Sequence, residues 1–532
     1  MNSFKKVMIY STITAAFIFL NRLECTGQNQ NLSSGVVFDG EPYLAVNPYH
    51  PQHMVVAWMG YTFMQKITIK TRVSFDGGVS WSPLQSIPHQ NNIYTSADPS
   101  IDFDHLGRVY LSYIDYDPAF SSGYVFLRRS EDGGISWSSP VTAIAWDSDP
   151  GRYPIDRPWL SIDRNAGNQQ GNIYITTMNA KAAGAPPYHP YFVKSVDMGE
   201  SFEPYRYLDT AGWLSGPFIP KPMPAPAIGA NGDFYAVYPS YVFSQNFQPQ
   251  YILASSSDAG NNFEYQTLFA SASSVAVSDT SAKKGYLLRA DPSDPSHLVF
   301  FHLSNENGDA DIYFRESFDY GQNWSEGRRI NDDPPGNGRM QDLVWADFDS
   351  DGDLAVAWRD RRNAADTGYA ASYEIFAAVR LKNTSDFLPN FRLTNSIVAF
   401  DDVLFQNGND FMCLNLSNDT ISAVWGDTRD GRLNIWFQRA SLSGTLLSRK
   451  NLDGSALPAI EITFPSASLM QVNSESFNEF KLLDTRGKEC IKKTGLNGRN
   501  SLTINTSALK TGVYIVQIMV AYGKVSSKVF IR

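Results

Sequence analysis

One eight-residue phrase is written five times in this chain: Ser74-Phe75-Asp76-Gly77-Gly78-Val79-Ser80-Trp81, then Ser130 to Trp137, Ser195 to Phe202, Ser256 to Phe263 and Ser317 to Trp324. Each copy reads Ser-x-Asp-x-Gly-x-x-aromatic. The composition is that of a tight reversal. Asp folds its carboxylate onto nearby backbone N–H groups, Gly accepts a positive φ, and the aromatic pins the turn with its ring. The closing aromatics stand 56, 65, 61 and 61 residues apart, a period that fits one four-stranded β unit with generous loops.

The segments between the phrases share a grammar: a polar or charged residue near a Pro, an apolar strand, a turn, a strand often ending in Trp or Tyr, a third strand, then the phrase. Glu41-Pro42-Tyr43-Leu44 and Met54-Val55-Val56-Ala57-Trp58 open the first unit; their alternation and β-branched content predict strands. Later units open at Asp98-Pro99, Asp156-Arg157-Pro158, Lys221 to Ile228 and Leu287-Leu288-Arg289. Beyond the fifth phrase the strands continue while the phrase decays, with Gln341 to Trp345 and Leu354 to Trp358 in a sixth unit and Phe411 to Leu414 and Ile421 to Trp425 in a seventh. Ser385-Asp386 reads as a worn phrase. The count predicts an all-β fold with seven units, six being the alternative.

The five phrases resemble the Asp-box (BNR) repeats of the sialidase-like superfamily. The resemblance implies a β-propeller over residues 36–443, with Asp76, Asp132, Asp197, Asp258 and Asp319 in structural turns at the blade periphery rather than in a catalytic pocket. Sialidases proper have six blades and an early Phe/Tyr-Arg-Ile-Pro signature, which this chain lacks; Gly151-Arg152-Tyr153-Pro154 and Asp156-Arg157-Pro158 stand in the wrong unit. No Tyr nucleophile is therefore transferred.

Residues 1–27 read as a secretory signal, with Lys5 and Lys6 before the apolar stretch Val7 to Leu20, which is short for a transmembrane span. A lipid-anchored Cys25 is the rival reading, against which Arg22-Leu23-Glu24 is a poor lipobox. Residues 444–457 are rich in Ser, Gly and Asn and read as a linker. Residues 458–532 resemble the type A C-terminal sorting domain of the Bacteroidetes type IX secretion system, on Asp484-x-x-Gly487, Leu509-Lys510-Thr511-Gly512-Val513-Tyr514, Gly523, Lys528 and Arg532. That resemblance implies a small β-sandwich, the secretion machinery as partner, and a secreted or cell-surface protein.

A net charge of −10 supplies no basic field for nucleic acid. Chemistry is expected where the innermost strands converge on the ring axis. The polar residues at those strands nominate Glu41, Asp98, Asp156 and Asp342 as candidate catalytic carboxylates, with Arg157 and Arg289 as candidate substrate ligands. Acids that protonate a leaving oxygen and guanidinium forks that clamp an acidic sugar are the parts that glycoside hydrolysis needs. Trp358-Arg359-Asp360-Arg361-Arg362 and Trp425-Gly426-Asp427-Thr428-Arg429 add Arg361 and Arg429, either as carboxylate ligands or as structural Asp–Arg bridges. Asp347-x-Asp349-x-Asp351 imitates the start of a calcium loop, but Trp358 occupies the twelfth position, so no metal or other cofactor is assigned. The sequence thus supports a secreted sialidase-like propeller that hydrolyses a glycan. A non-catalytic binding propeller for glycan or protein, and a polysaccharide lyase, are the alternatives.

Overall fold

A computed structural model describes residues 29–35, 37–62, 66–180, 186–271, 285–400, 409–447, 461–466, 468–484, 488–496, 498–520 and 523–531. The expected signal segment with Cys25, most of the linker, Gly487 and Arg532 lie outside the described residues. The chain divides into two compact units, 1–449 and 450–532, and the described residues form strands and turns without an α-helix.

Among the described residues, the first unit holds seven antiparallel sheets. Their innermost strands are Asp39–Val46, Thr95–Phe103, Asp156–Ile162, Ala225–Ile228, Tyr286–Ala290, Gln341–Phe348 and Cys413–Ser417. Six of the sheets are four-stranded meanders in chain order. Each innermost strand contacts the next, and the last contacts the first. This all-β array of sheets around one axis is of the propeller type.

The seventh sheet is not made from consecutive chain. Gln30–Asn31 pairs with Asn434–Ser441 through Gln30↔Phe437 and Asn31↔Trp436, and Leu446–Leu447 pairs with the same strand. Strand residues therefore lie on both sides of the 36–443 span expected from the repeats. Asn29 ties the junction: its amide donates to Leu393 O at 2.9 Å and Gln438 Oε1 at 2.8 Å.

Second strands such as Met54–Tyr61 and Leu354–Asp360 are buried almost throughout. A sheet packed on both faces reads as a continuous apolar run rather than an alternation. Trp58, Trp358 and Trp425 sit in equivalent strands without exposed surface.

The five Ser-x-Asp phrases fold alike. In each, the Ser hydroxyl donates to the Asp carboxylate at 2.7–2.8 Å, and the backbone N–H four residues past the Ser, always a Gly, donates to the Ser oxygen at 2.7–2.9 Å. The carboxylate takes a further backbone N–H at 2.8–3.0 Å. Hydrogen bonds from Asn262 hold Asp258 down to about 2.

The Gly is required twice over. Gly260 has φ +74°, and a Cβ there would lie 2.4 Å from Phe192 of the preceding sheet; Gly78 of the first sheet meets Phe437 of the seventh in the same way, at 2.5 Å. Each lock therefore packs its sheet onto the one before. Ser385-Asp386 does not fold like this: Ser385 Oγ reaches only the adjacent Asp386, whose carboxylate pairs with Arg328 at 2.5 Å.

In the second unit Leu469–Asp484 is one long strand. Its first part pairs with Glu461–Ser466 and Arg499–Asn505, its second with Glu489–Lys493 and Gly512–Val520. Met470, Val472, Phe477, Phe480, Leu482, Val516 and Ile518 form its core.

Candidate functional site

The site is built by a repeated distortion of the innermost strand. Glu41, Asp98, Arg157, Leu343 and Asn409 have φ of +53°, +52°, +49°, +59° and +83°. At the first four the ladder to the second strand skips register, between Gly40 and Tyr43, Ala97 and Ser100, Asp156 and Trp159, and Asp342 and Trp345. Pro follows three of these residues, since a bulge has no ladder partner waiting for its N–H. A left-handed non-Gly residue costs about 1–2 kcal/mol.

Two residues past the left-handed position stand Tyr43, Trp159 and Trp345 in three of the strands, and Phe411 in the segment leading into Cys413–Ser417. Their rings meet across the axis: Tyr43–Trp345 at 5.3 Å, Tyr43–Trp159 and Trp159–Trp345 both at 5.8 Å, and Trp159–Phe411 at 5.0 Å. This aromatic plug divides the channel into two pockets that share no lining residue.

The upper pocket, of about 210 Å³, is lined by Glu41, Asp98, Asp156, Arg157, Lys221 and Asp410 over an apolar wall that includes Met59, Ile114 and Ile155. Asp98 holds its proton well above the usual carboxyl range. Burial is the main cause, followed by the charge of the Glu41 carboxyl, which is also hydrogen-bonded to it; Arg157 opposes the shift and Asp410 adds to it. Arg157 donates from Nη2 to Asp410 at 2.5 Å and from Nη1 to Met223 Sδ at 3.4 Å, and its backbone N–H reaches Asp98 at 3.4 Å. The Tyr116 hydroxyl on the same wall is pushed up by burial and by Asp98, Asp156 and Glu41. A protonated carboxylic acid beside carboxylates, against an apolar wall, is the arrangement that delivers a proton to a bound group.

Four nominated residues, Glu41, Asp98, Asp156 and Arg157, thus line one pocket. The other nominated residues stand elsewhere. Arg289 lies beyond the plug in the lower pocket, of about 360 Å³, where its Nε donates to Ala346 O at 2.6 Å and its guanidinium sits 5.1 Å from the Trp345 ring. Asp342 is fully buried beneath Arg359 and Arg361; their charges overcome the effect of burial and hold it at about 2. Arg361 has no exposed surface. Arg429 bridges to Asp427 at 2.5 Å, to Asn29 at 2.7 Å and to Asn395 at 2.6 Å, and is stacked 4.4 Å from the Trp436 ring.

In both Trp-x-Asp-x-Arg phrases the Trp indole donates to the Asp, at 2.6 Å for Trp358–Asp360 and 2.7 Å for Trp425–Asp427. The Arg that closes the bridge is Arg362 in one and Arg429 in the other.

The calcium-like aspartates separate. Asp347 lines the lower pocket, accepts from Asn415 Nδ2 at 2.7 Å and Leu416 N at 3.1 Å, and is pushed up to about 6 by burial. Asp349 accepts from Asp419 N at 2.9 Å. Among the described residues the one acidic group with metal-ligand spacing is Asp351, Asp353 and Asp419, so Asp347 and Asp349 belong to no such group.

None of the aspartates of the five Ser-x-Asp phrases lines either pocket. Asp410, Lys221 and Tyr116 escape the nomination from sequence. Asn409-Asp410-Phe411 has the spacing of Glu41-Pro42-Tyr43 but lacks the Pro, and Lys221 lies in a Pro-rich segment with no strand pattern.

A family model described as a secretion system C-terminal sorting domain matches residues 460–532. The chain is exported by type IX secretion, to the cell surface or beyond it, and no helix among the described residues is long and apolar enough to cross a membrane. No curated protein matches the chain. Among solved structures, an alpha-L-arabinanase of Penicillium chrysogenum complexed with arabinobiose is 12% identical at a TM-score of 0.43, covering 79% of this chain and 99% of its own. A leech intramolecular trans-sialidase is 13% identical at 0.36, covering 79% and 71%. A PL25 ulvan lyase is 12% identical at 0.41, covering 77% and 96%.

Proposed function

We propose that the first unit is a closed seven-bladed β-propeller and that the exported protein hydrolyses a glycosidic bond of a neutral sugar in the upper pocket. The cyclic order of contacts among the seven innermost strands supports the closure, as does the seventh sheet's use of Gln30–Asn31, since a ring whose last sheet takes a strand from ahead of its first leaves no open seam. The five locks are read as its Asp boxes, and the second unit, whose long strand pairs differently along its two parts, as the sorting sandwich.

The observation that carries the activity is the gathering of Glu41, Asp98, Asp156 and Arg157 in one pocket, where burial and Glu41 favour the protonated form of Asp98. In the reaction, water adds to the anomeric carbon as the bond to the leaving oxygen breaks. Asp98 gives its proton to that oxygen and Asp156 takes one from the water, with Arg157, fixed by Asp410, orienting the sugar hydroxyls. Glu41, Asp156 and Asp410 outnumber the cations, and Arg157 is already bound to Asp410. An anionic sugar would meet net repulsion there, which favours a neutral substrate over the acidic one expected from sequence.

One observation favours binding without turnover: Glu41 and Asp98 are in hydrogen-bond contact, closer than the roughly 5–9 Å between the two carboxyls of a hydrolase pair. Hydrolysis therefore needs Asp156 as the second group. The purified chain, incubated with neutral and acidic oligosaccharides, is expected to release reducing ends from a neutral one and to lose this with Asp98→Asn or Asp156→Asn. Binding of a glycan with no release would select the binding reading; release from sialosides alone would refute the neutral-sugar assignment.

A further inference from the structure

Three residues before Lys221 of the upper pocket, the chain carries part of an aromatic surface that the pocket's chemistry does not use. Phe218 and Phe243 are 52% and 53% exposed and Phe247 is 86% exposed, on two loops of the fourth sheet. Phe218, Tyr241 and Phe243 form a closed trio, with centroids 5.5, 5.3 and 5.1 Å apart and rings tilted 51–70° to one another. Exposed rings normally scatter singly over a surface, and a cluster of this kind marks a binding face.

The trio is held in place by backbone. Tyr241 N–H donates to Ser215 O at 3.0 Å, Gln245 and Asn246 N–H donate to Val242 O at 2.9 Å, and Asn246 Nδ2 donates to Gln250 Oε1 at 3.1 Å. Gly216 packs so closely beneath that a Cβ would lie 2.4 Å from Val242 Cγ2. Rings fixed before a ligand arrives lose little freedom on binding it.

The loop that carries Phe218 also builds the pocket. Ile219 is buried, Lys221 lines the pocket, and Met223 is fastened by Arg157 Nη1 at its sulfur and by the Tyr286 hydroxyl, 2.6 Å from its carbonyl. Three residues of chain put Phe218 within about 11 Å of Lys221, Cα to Cα. The two loops contain no ionisable side chain from Ala211 to Pro220 or, tyrosines aside, from Pro239 to Ser257; they offer aromatic rings with Ser, Asn and Gln. A protein hot spot would be expected to include Arg, and a membrane-binding face Lys or Arg. Uncharged rings interleaved with amides and hydroxyls suit the C–H faces and hydroxyls of a neutral sugar chain.

We infer that Phe218, Tyr241 and Phe243 form an accessory subsite that stacks sugar units of a neutral polysaccharide as the chain leaves the upper pocket. This rests on reading that pocket as a glycan site. Binding energy gathered there would be used at the bond being cleaved, so longer substrates gain from it and short ones do not.

The test uses the full-length exported chain and linear neutral oligosaccharides of two to six units: α-1,5-arabinose, β-1,4-xylose, β-1,4-mannose and β-1,4-glucose. Binding is measured by calorimetry on the Asp98→Asn chain and hydrolysis on the wild type. The Phe218→Ala/Phe243→Ala variant is expected to weaken binding of the six-unit member roughly five- to ten-fold and to leave the two-unit member unchanged. Phe218→Tyr/Phe243→Tyr should restore it. Equal effects on long and short members, or none, overturn the subsite while leaving the pocket reading intact. Wild type that neither binds nor cleaves any member defeats the pocket reading, and the subsite with it. Anionic vesicles of phosphatidylserine and phosphatidylcholine captured through the two Phe would also overturn it, by reassigning the face to a membrane.

Discussion

Replacing Asp98 by Asn should make the folded protein more stable while abolishing its activity, and the stability gain should depend on pH in a defined way. Asp98 keeps its proton in the folded state well above the range where an ordinary aspartate loses it. In the unfolded chain it ionises near 3.9. Between these two points the folded state binds more protons than the unfolded one, so stability falls as pH rises. The contribution is complete below the unfolded pKa and lost as pH climbs to the folded one.

The slope is at most about 1.4 kcal/mol per pH unit, or about 3 kcal/mol over two units inside the window. The Asp98→Asn variant has no proton to hold and lacks this slope. Its amide can donate to Glu41 in place of the acid, and Asn tolerates the φ of +52° at least as well as Asp, so the backbone term cancels. Urea unfolding at a series of pH values from about 4.5 to 8.5 measures the difference. Tryptophan fluorescence isolates the relevant unit, because all 11 Trp precede residue 449. The advantage of the variant should grow with pH and then flatten where folded Asp98 ionises. A difference that is constant with pH, or a variant that is less stable than wild type on the alkaline side of that series, would refute the claim that this carboxyl is held protonated.

Three further outcomes are expected. Asp342→Ala strands Arg359 and Arg361 together in the interior, and breaking a buried ion pair in this way costs about 3–5 kcal/mol, read as a large fall in the urea midpoint. Asp132→Ala removes the acceptor for Ser130 Oγ and Ser136 N, costing about 1–2 kcal/mol; kcat and KM should not change, since the lock lines neither channel pocket. At His297 the ring bonds Asp291 at 2.9 Å and Glu316 at 3.1 Å, and Glu316 also holds Arg380 at 2.5 Å, with Phe318 and Phe348 packed against the ring. Despite the opposing effect of burial, these partners raise His297 and lower Glu316 to about 2. The Glu316 contribution is lost as pH falls towards 2, and the His297 contribution as pH rises through its raised value, so His297→Gln should flatten the alkaline side of the pH–stability curve in urea titrations.

Much of the fold is legible in sequence because its signals are local. The five locks are hydrogen-bond patterns closed within eight residues, and the second strands announce themselves as apolar runs ending in Trp58, Trp358 or Trp425. The strand opposite the seventh sheet's Phe437 is not legible: Gln30–Asn31 is two polar residues whose partner lies some four hundred positions away, and two residues carry no periodicity. In the site, Glu41, Asp98 and Arg157 are visible as polar residues preceding Pro at strand starts. Arg289 sorts with them in sequence because it also sits on an innermost strand. Strands rise about 3.3 Å per residue, so position along the strand decides the end of the channel. Glu41 is third in Asp39–Val46, whereas Arg289 is next to last in Tyr286–Ala290. The plug between them forms from residues of three separate sheets and from Phe411, just ahead of a fourth, which no local pattern encodes.

The same distortion accounts for both the plug and the pocket. An undistorted strand would pass its side chains along the channel in strict alternation, leaving acids and aromatics at one level to compete for the axis. The left-handed residue adds one position to the strand, so the aromatic two places on turns inward while the residue before it stays at the upper rim. Asp98 is raised mainly by its burial, in a pocket whose apolar wall includes Met59, Ile114 and Ile155 and none of the rings of Tyr43, Trp159, Trp345 and Phe411. Among the described residues, the fourth and fifth innermost strands, Ala225–Ile228 and Tyr286–Ala290, keep regular register and place no acid in the pocket. The wall on that side is supplied by the Pro-rich segment with Lys221, held by the Tyr286 hydroxyl at Met223 O. The pocket is thus acidic along one arc of the ring and loop-built along the other. Strain of about 1–2 kcal/mol at each left-handed residue is sustained by burial of the aromatic it turns inward, a contribution of about 1.5–3 kcal/mol for a large apolar side chain. A strained backbone is therefore stable here where an aromatic follows it, and at Asp98, followed by Ser100 rather than a ring, it rests on the contacts of its neighbours.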